Sequence, residues 1–223
     1  MDIDPFRVVA FLHVLLFAYW LGADLGVFLH GKRLTRDDIP LDERLRTREI
    51  GVMIDMAPRS ALVLMVPVGF TLASNWGLPL TGVQIALLWV FGLAWLWLVW
   101  EVHHKKNEPV GRSLQRIDFA IRYIVLAVML GLGLTSLATG APVASTWLAV
   151  KMVLFGAIIV NGIWLRLIGG RWQLAFDKIR LGGADAVLGE QMIKDNRKVA
   201  SKAALLIWFL VAVMAFLGVV KPF

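Results

Sequence analysis

Six apolar stretches, each long enough to cross a bilayer as a helix, determine what this chain can fold into. A helical span needs about 20 mostly apolar residues, and only helices or closed barrels leave no backbone polar group unpaired in lipid. The sequence is 59% hydrophobic and 17% charged, whereas soluble domains are about 45–50% apolar and about 25% charged. We therefore predict an all-α, polytopic integral membrane bundle that forms a single transmembrane domain over residues 1–223. The predicted spans are residues 6–30, 50–75, 83–104, 117–139, 146–167 and 203–220.

The charges between the spans predict how the bundle is oriented. Two connections, at residues 76–79 and 140–142, are short and uncharged. Residues 31–49 carry six Lys or Arg, residues 103–116 carry four, and residues 166–202 are also rich in both. The positive-inside rule places these three segments in the cytoplasm, so both termini lie outside. Six spans, an even number, also require both termini to lie on the same side of the membrane.

The partner that this composition implies is the lipid bilayer. The net charge of +7 would also suit a nucleic-acid-binding protein, but the cations lie between apolar runs, where membrane topology already explains them. We expect no nucleic-acid partner and predict a multi-pass protein of a bacterial-type inner (plasma) membrane. The sequence contains no cysteine, which excludes disulfides and thiolate metal or redox sites.

The last charged connection contains an amphipathic pattern of its own. Trp172, Phe176 and Ile179 are interleaved with cations in the segment RWQLAFDKIRLG, residues 171–182. Such a pattern is typical of a short helix that lies on the membrane surface. A helix packed on the inner end of the bundle is the alternative.

Charged side chains within the spans are candidate functional residues, because a charge at membrane depth costs about 2.5–3.5 kcal/mol on insertion scales. His13 and Lys151 lie at a similar depth near the outer ends of spans one and five, so they can meet if these helices are neighbours. Five charged residues lie nearer the inner end: Asp24, Asp55, Arg59, Glu101 and Arg122. They form either ion pairs that lock helices together or a charged gate. Asp55 and Arg59 are four residues apart and can pair on one helix.

The other histidines lie at the inner ends of spans one and three. His30, His103 and His104 are either solvated helix caps or ligands of a metal or haem. His13 and His30 are about 25 Å apart along one helix, so they cannot serve one site but can serve two. The residue types give His13, His103 and His104 as candidate metal ligands, and His13, His30 and His103 as candidate haem ligands. The methionines are dispersed and form no MxxxM cluster of the kind that a copper path would use.

Two segments resemble a known membrane-protein family. Residues 13–22, HVLLFAYWLG, are similar to the opening span of the copper-resistance D and HemJ-type proteins, where a histidine precedes a Trp-centred motif of small residues. Residues 147–154, WLAVKMVL, are similar to the W-L-x-x-K-x-x-L span of the same family. HemJ-type proteins are haem-associated protoporphyrinogen oxidases, and copper-resistance D proteins are linked to copper handling. The resemblance implies that His13 is a haem ligand or redox-site histidine and that Lys151 is its companion.

Three functions remain open at this stage. The first is a haem b protein that transfers electrons, as a membrane oxidoreductase or as the membrane subunit of one, with a redox partner or a second copy of the chain. The second is a transporter or permease for a small solute or metal ion, in which Pro58 and Pro67 break span two and open a cavity for the charged gate. The third is a structural or assembly subunit, in which the polar residues only pair helices.

Overall fold

The structure of this protein is a computed structural model that describes residues 4–223, so residues 1–3 of the predicted domain lie outside the described range. The described residues form six helices, each long and apolar enough to cross a membrane. The chain is therefore a multi-pass, all-α membrane bundle, as predicted. The helices are α1 Pro5–Leu34, α2 Leu41–Ala73, α3 Gly82–His104, α4 Pro109–Thr139, α5 Thr146–Leu181 and α6 Gly183–Val220.

Local sequence signals explain where several helices begin and end. The Asp4 side chain caps α1 by accepting a hydrogen bond from the Phe6 backbone N–H at 3.0 Å. Thr81 and Gln84 form a reciprocal capping box at the start of α3, which satisfies two backbone donors that the helix cannot pair itself. Helix α4 ends at Thr139. The next residue, Gly140, caps it with a φ of 73°, in the left-handed region that favours glycine.

The six helices pack as a closed ring. Each helix contacts the next one along the chain, α6 returns to α1, and α2 also contacts α5 across the middle. In the most apolar 18-residue stretch of α2, 61% of the residues are buried inside the protein, whereas in that of α1 only 6% are buried. Helix α2 is therefore central, and α1 presents most of its membrane-spanning surface to lipid.

The start of α1 and the end of α6 lie at the same end of the bundle. Phe6 packs against Trp76 with ring centroids 6.4 Å apart, and the Lys221 ammonium lies over the same indole ring. The connection after α4 also reaches this point, since Ser145 Oγ donates a hydrogen bond to the Trp76 carbonyl at 2.8 Å. We call this the outer end, and the opposite end, which carries the charged connections, the inner end.

Helices α5 and α6 continue well beyond the predicted spans. They contain 36 and 38 residues, or about 54 and 57 Å at 1.5 Å per residue, against a hydrocarbon core of about 30 Å. Their parts between residues 168 and 202, which we call the inner extension, project past the inner end as a helical hairpin. Gly182 and Gly183, with φ of 78° and 57°, form its tight turn. The segment 171–182 is thus the last part of α5 and its turn rather than a separate short helix.

A second hydrophobic core holds the inner extension against the rest of the protein. Ala175 and Phe176 of α5, Ile193 of α6 and Leu34 of α1 are buried together there. The amphipathic pattern of α5 in this region is therefore directed at protein, which is the second of the two arrangements that the sequence allows. Hydropathy alone misses these helix ends, because the helices continue after the lipid-facing residues have ended.

Arg44 of α2 is the polar centre of this second core. Its side chain is only 2% exposed, and its guanidinium forms two parallel hydrogen bonds to the Glu190 carboxylate, at 2.5 and 2.9 Å. Its Nε donates to the Leu34 carbonyl at 3.0 Å, and its Cζ lies 5.7 Å from the Phe176 ring centroid. One arginine therefore joins the end of α1, the start of α2, α5 and α6.

The prolines of span two do not break it, so this expectation is wrong. Helix α2 runs without interruption through Pro58 and Pro67. Pro67 packs closely on α3 at Gly92, where an added Cβ would lie 2.7 Å from Pro67 Cγ, and Thr71 Oγ1 donates to the Pro67 carbonyl at 2.7 Å. Neighbouring helices and hydroxyl side chains commonly support prolines inside membrane helices.

Replacing Arg44 with alanine should destabilise the protein by about 3 kcal/mol, because breaking a buried pair leaves the remaining carboxylate without its partner. Thermal unfolding of the purified protein in detergent measures the effect. Arg46→Ala is the matched control on the same helix, since Arg46 is exposed and forms no ion pair within residues 4–223. Equal unfolding temperatures for the two variants would contradict the role given to Arg44.

Candidate functional site

A cavity of about 500 Å³ lies in the outer half of the bundle. We call it the outer cavity. Its walls come from α1, α2, α4, α5 and α6, and its lining is almost entirely apolar. This volume lies within the range of about 300–1,000 Å³ that is usual for small-molecule and cofactor sites. The outer cavity is therefore the leading candidate for a ligand site.

The ionisable side chains that line the outer cavity are His13, Lys151 and Lys221. His13 Nδ1 is buried and has no hydrogen-bond partner among residues 4–223. No acidic residue of the described chain belongs to the lining. Helices α1 and α5 are not direct neighbours in the ring, so the cavity is what brings His13 and Lys151 to one place. The cavity thus offers one imidazole and two cations to whatever fills it.

Helix α6 shapes the surroundings of Lys151. An added Cβ on Gly218 would lie 2.7 Å from Lys151 Nζ, so the absence of a side chain at Gly218 leaves room for the ammonium. The same Nζ lies 5.9 Å from the Trp147 ring centroid. Neither contact supplies a negative charge, and Lys151 forms no salt bridge within the described range.

Lys221 lies at the outer mouth of the cavity and was not among the residues predicted from the sequence. Its Nζ is 3.3 Å from the Trp76 ring centroid and 5.6 Å from that of Trp147. Its backbone has a φ of 48°, the one left-handed conformation at a non-glycine position among residues 4–223. Lys221 caps the end of α6, where its backbone N–H donates to the Leu217 carbonyl, and helices commonly end with a left-handed residue. In the sequence Lys221 is only a lysine after the last span, which is an ordinary position for a cation.

Four methionines that are dispersed in the sequence converge on the outer cavity. Met65, Met129, Met152 and Met214 come from α2, α4, α5 and α6, and all four line it. A search for closely spaced methionines cannot find such a group, because each helix contributes only one. Thioether sulfur is a polarizable packing group and also a haem or soft-metal ligand.

A second polar group lies inside the bundle, nearer the inner end. Asp118 of α4 is fully buried and accepts hydrogen bonds from Trp95 Nε1 at 2.8 Å and Arg122 Nε at 3.2 Å. It also forms an ion pair with Arg166 of α5. We call Asp118, Arg122, Arg166 and Trp95 the inner lock, because one carboxylate joins α3, α4 and α5. Asp118 and Arg166 were not predicted, since they lie at the ends of spans, where charges usually reach the interface.

The four predicted ion-pair or gate residues have different direct partners, although their charges lie close enough to interact. Asp55 and Arg59 form an ion pair along α2, whereas Arg122 is held by Asp118 in the inner lock. Asp24 has the side chains of Trp20 and Trp208 as polar neighbours, and the Asp55 charge acts on it. No cation lies within salt-bridge distance of Asp24 in residues 4–223. The residues thus differ in their direct partners.

Among the inner-end histidines, His30 is separate from the adjacent pair His103 and His104. His30 packs against α2 at Gly51, where no side chain other than hydrogen would fit. His103 and His104 instead pack with Trp100, with ring centroids 5.6 to 6.1 Å apart. Residues 4–223 contain no group of three or more His, Cys, Asp or Glu side chains that could hold a metal ion. The structure therefore does not bring the candidate metal ligands His13, His103 and His104 together.

Filling the outer cavity from its wall should abolish ligand binding there without unfolding the protein. Gly69 of α2 lines the cavity, and an added Cβ would meet no other heavy atom within 4 Å. We expect Gly69→Leu to lower the binding of an apolar fluorescent dye about tenfold or more, because the new side chain occupies the space. Gly131→Leu is the control, since Gly131 also has open space around it but lies outside the cavity.

Removing the charge of Asp118 should destabilise the bundle by about 3–5 kcal/mol, because two arginines would remain buried without compensation. Thermal unfolding of Asp118→Asn in detergent tests this. Adding Arg166→Gln to the variant should recover part of the loss, since one uncompensated charge is then removed. Asp185→Asn is a control: the Asp185–Lys178 pair is on the surface, where a pair contributes about 0–1 kcal/mol. A loss no larger than this control would show that the inner lock is dispensable.

No family model, curated protein or solved structure matches the chain. The resemblance of residues 13–22 and 147–154 to copper-resistance D and HemJ-type proteins therefore rests on those motifs alone. The geometry of the outer cavity is an observation independent of it.

Proposed function

We propose that the protein binds a b-type haem in the outer cavity and exchanges electrons there, as a membrane oxidoreductase or as the membrane subunit of one. One observation carries the proposal: His13, whose buried Nδ1 has no hydrogen-bond partner in the described part of the chain, lines an apolar cavity of about 500 Å³. The membrane we propose is of the bacterial inner (plasma) type.

The residues of the outer cavity fit the chemistry of haem. The group presents an apolar macrocycle, an iron that requires axial ligands and two carboxylates. His13 would hold the iron through its imidazole, and the methionines that line the cavity would offer a thioether as a further ligand. Lys151 and Lys221 would balance the carboxylates, and no acidic side chain of the described lining opposes them. When bound, haem supplies one-electron chemistry that protein side chains lack.

The chain's own contribution is to bind, orient and shield the group. An apolar lining lowers the local dielectric, and buried cations nearby favour the reduced, less positive form of a redox centre. Lys151 and His13 line the same cavity, so the lysine would influence the histidine as well as the carboxylates. The family resemblance supports the same pair, because it implies a histidine with a companion lysine.

The proposal places one haem at the outer end and none at the inner end. His30 packs on α2 at Gly51, His103 and His104 pack on Trp100, and none of the three lines the outer cavity. We therefore propose that electrons are exchanged on the outer side, with a redox partner or a second copy of the chain, rather than passed across the membrane through a second haem.

The transporter hypothesis has less support from the geometry. Three of its four residues are already engaged in direct ion pairs, Asp55 with Arg59 and Arg122 with Asp118. The third hypothesis, a structural subunit, accounts for the inner lock but leaves the outer cavity without a role. The geometry therefore supports the haem protein better than either alternative.

The absorption spectrum of the purified protein tests the proposal. After expression with added haem precursor, we expect a Soret band in the wild type and its loss or a clear shift in His13→Ala, because the axial ligand is removed. His104→Ala is the matched control, since His104 lies outside the outer cavity and should leave the spectrum unchanged. A wild-type protein with no Soret band, or an identical spectrum for His13→Ala, would rule the proposal out.

A further inference from the structure

Helices α1 and α6 are joined at the inner end and separate at the outer end. Near the inner end, the Phe28 and Trp208 rings have centroids 5.2 Å apart, and Arg197 Nη2 donates to the Phe28 carbonyl at 2.8 Å. At the level of the outer cavity, Val14 of α1 and Val219 of α6 both line the cavity, yet they are 63% and 84% exposed. The cavity wall is therefore open between these two helices.

This opening, which we call the α1–α6 gap and define by Val14 and Val219, faces the surrounding bilayer. Helix α1 buries little of its apolar window, so lipid rather than protein covers it. A molecule that is mostly apolar dissolves in the bilayer and can reach the cavity sideways, without crossing the aqueous phase. The gap favours a ligand with an apolar body.

The charges at the cavity favour an anionic end on the same ligand. Lys151 and Lys221 have no acidic partner among residues 4–223, and their Nζ atoms lie 5.9 and 5.6 Å from the same Trp147 ring centroid. Two cations that repel one another at the edge of an apolar cavity are stabilised by an anion between them. Lys221 lies at the mouth and Lys151 lies deeper, so both can contact the same anionic group.

We propose that the outer cavity takes up a carboxylate-bearing amphiphile from the outer leaflet through the α1–α6 gap, and that Lys221 and Lys151 hold its carboxylate. The inference deepens the proposed function, because haem is one such amphiphile, and it uses the same cavity. It adds the route by which the ligand enters the cavity, the selectivity for a negatively charged ligand and a role for Lys221.

Charge selectivity is tested with a fluorescent polyene fatty acid, cis-parinaric acid, and its methyl ester, which differ in the negative charge. Binding to the protein in lipid nanodiscs is followed by fluorescence. We expect the acid to bind at least tenfold more tightly than the ester, and Lys221→Gln to weaken the acid about tenfold while leaving the ester unchanged, because a charge-assisted contact is lost. Lys202→Gln is the control on the same helix, outside the cavity. Equal binding of acid and ester, or no binding of either, overturns the proposal.

The route is tested with single cysteines, which are unambiguous because the chain has none of its own. Val14→Cys and Val219→Cys are each labelled with a bulky polycyclic maleimide, which should obstruct the α1–α6 gap and slow uptake of the acid at least tenfold. Leu29→Cys, at an exposed position on the inner part of α1, receives the same label as a control. Unchanged uptake with labels at both gap positions refutes the route.

Haemin titration separates this inference from the proposed function. If the fatty acid binds with the expected sensitivity to Lys221 but haemin gives no Soret band, the haem proposal fails and the amphiphile site stands. If haemin gives a Soret band that neither Lys221→Gln nor the gap labels affect, and acid and ester bind equally, the present inference fails and the haem proposal stands.

Discussion

A single buried carboxylate, Asp118, determines how half of this bundle is assembled. Lipid offers no water to solvate it, so its charge must be balanced by protein. Arg122 on the same helix and Arg166 on α5 supply the balance, and the Trp95 indole of α3 donates a further hydrogen bond. Displacing α5 relative to α4 would leave Arg166 without its partner, and displacing α3 would remove the hydrogen bond from Trp95. The inner lock therefore specifies the register of these three helices in a way that apolar packing alone does not.

The polar contacts that buried charges require also make the two ends of the molecule different. At the inner end, Arg44 and Glu190 tie α2 to α6, and Arg197 ties α6 to α1 through the Phe28 carbonyl. The outer end has short turns and aromatic contacts but no salt bridge between its helices among residues 4–223. A ring that is fixed by polar contacts at one end can open at the other without losing its register. The outer cavity occupies that freer end.

The hydropathy of the sequence predicted the membrane-spanning part of this structure. All six spans were found, and their outer ends agree with the helices to within a few residues at Ala73, Gly82, Thr139 and Thr146. The inner ends were missed where helices continue into the second core, because that core is built from alternating apolar and charged residues. For the site, His13 and Lys151 were identified from their depth. Lys221 and the converging methionines were not, since only packing brings them to one place.

The charged side chains that have no ion-pair partner indicate which part of the protein is functional. The arginines within the inner part of the bundle, Arg59, Arg122 and Arg166, each have a carboxylate partner, which is what helix locking requires. The two lysines at the outer cavity have none in the described chain, although an acid on a facing helix would have stabilised them. A protein that needed these cations only for folding would gain from such an acid. Their isolation in an apolar cavity is explained if the compensating charge arrives with a ligand.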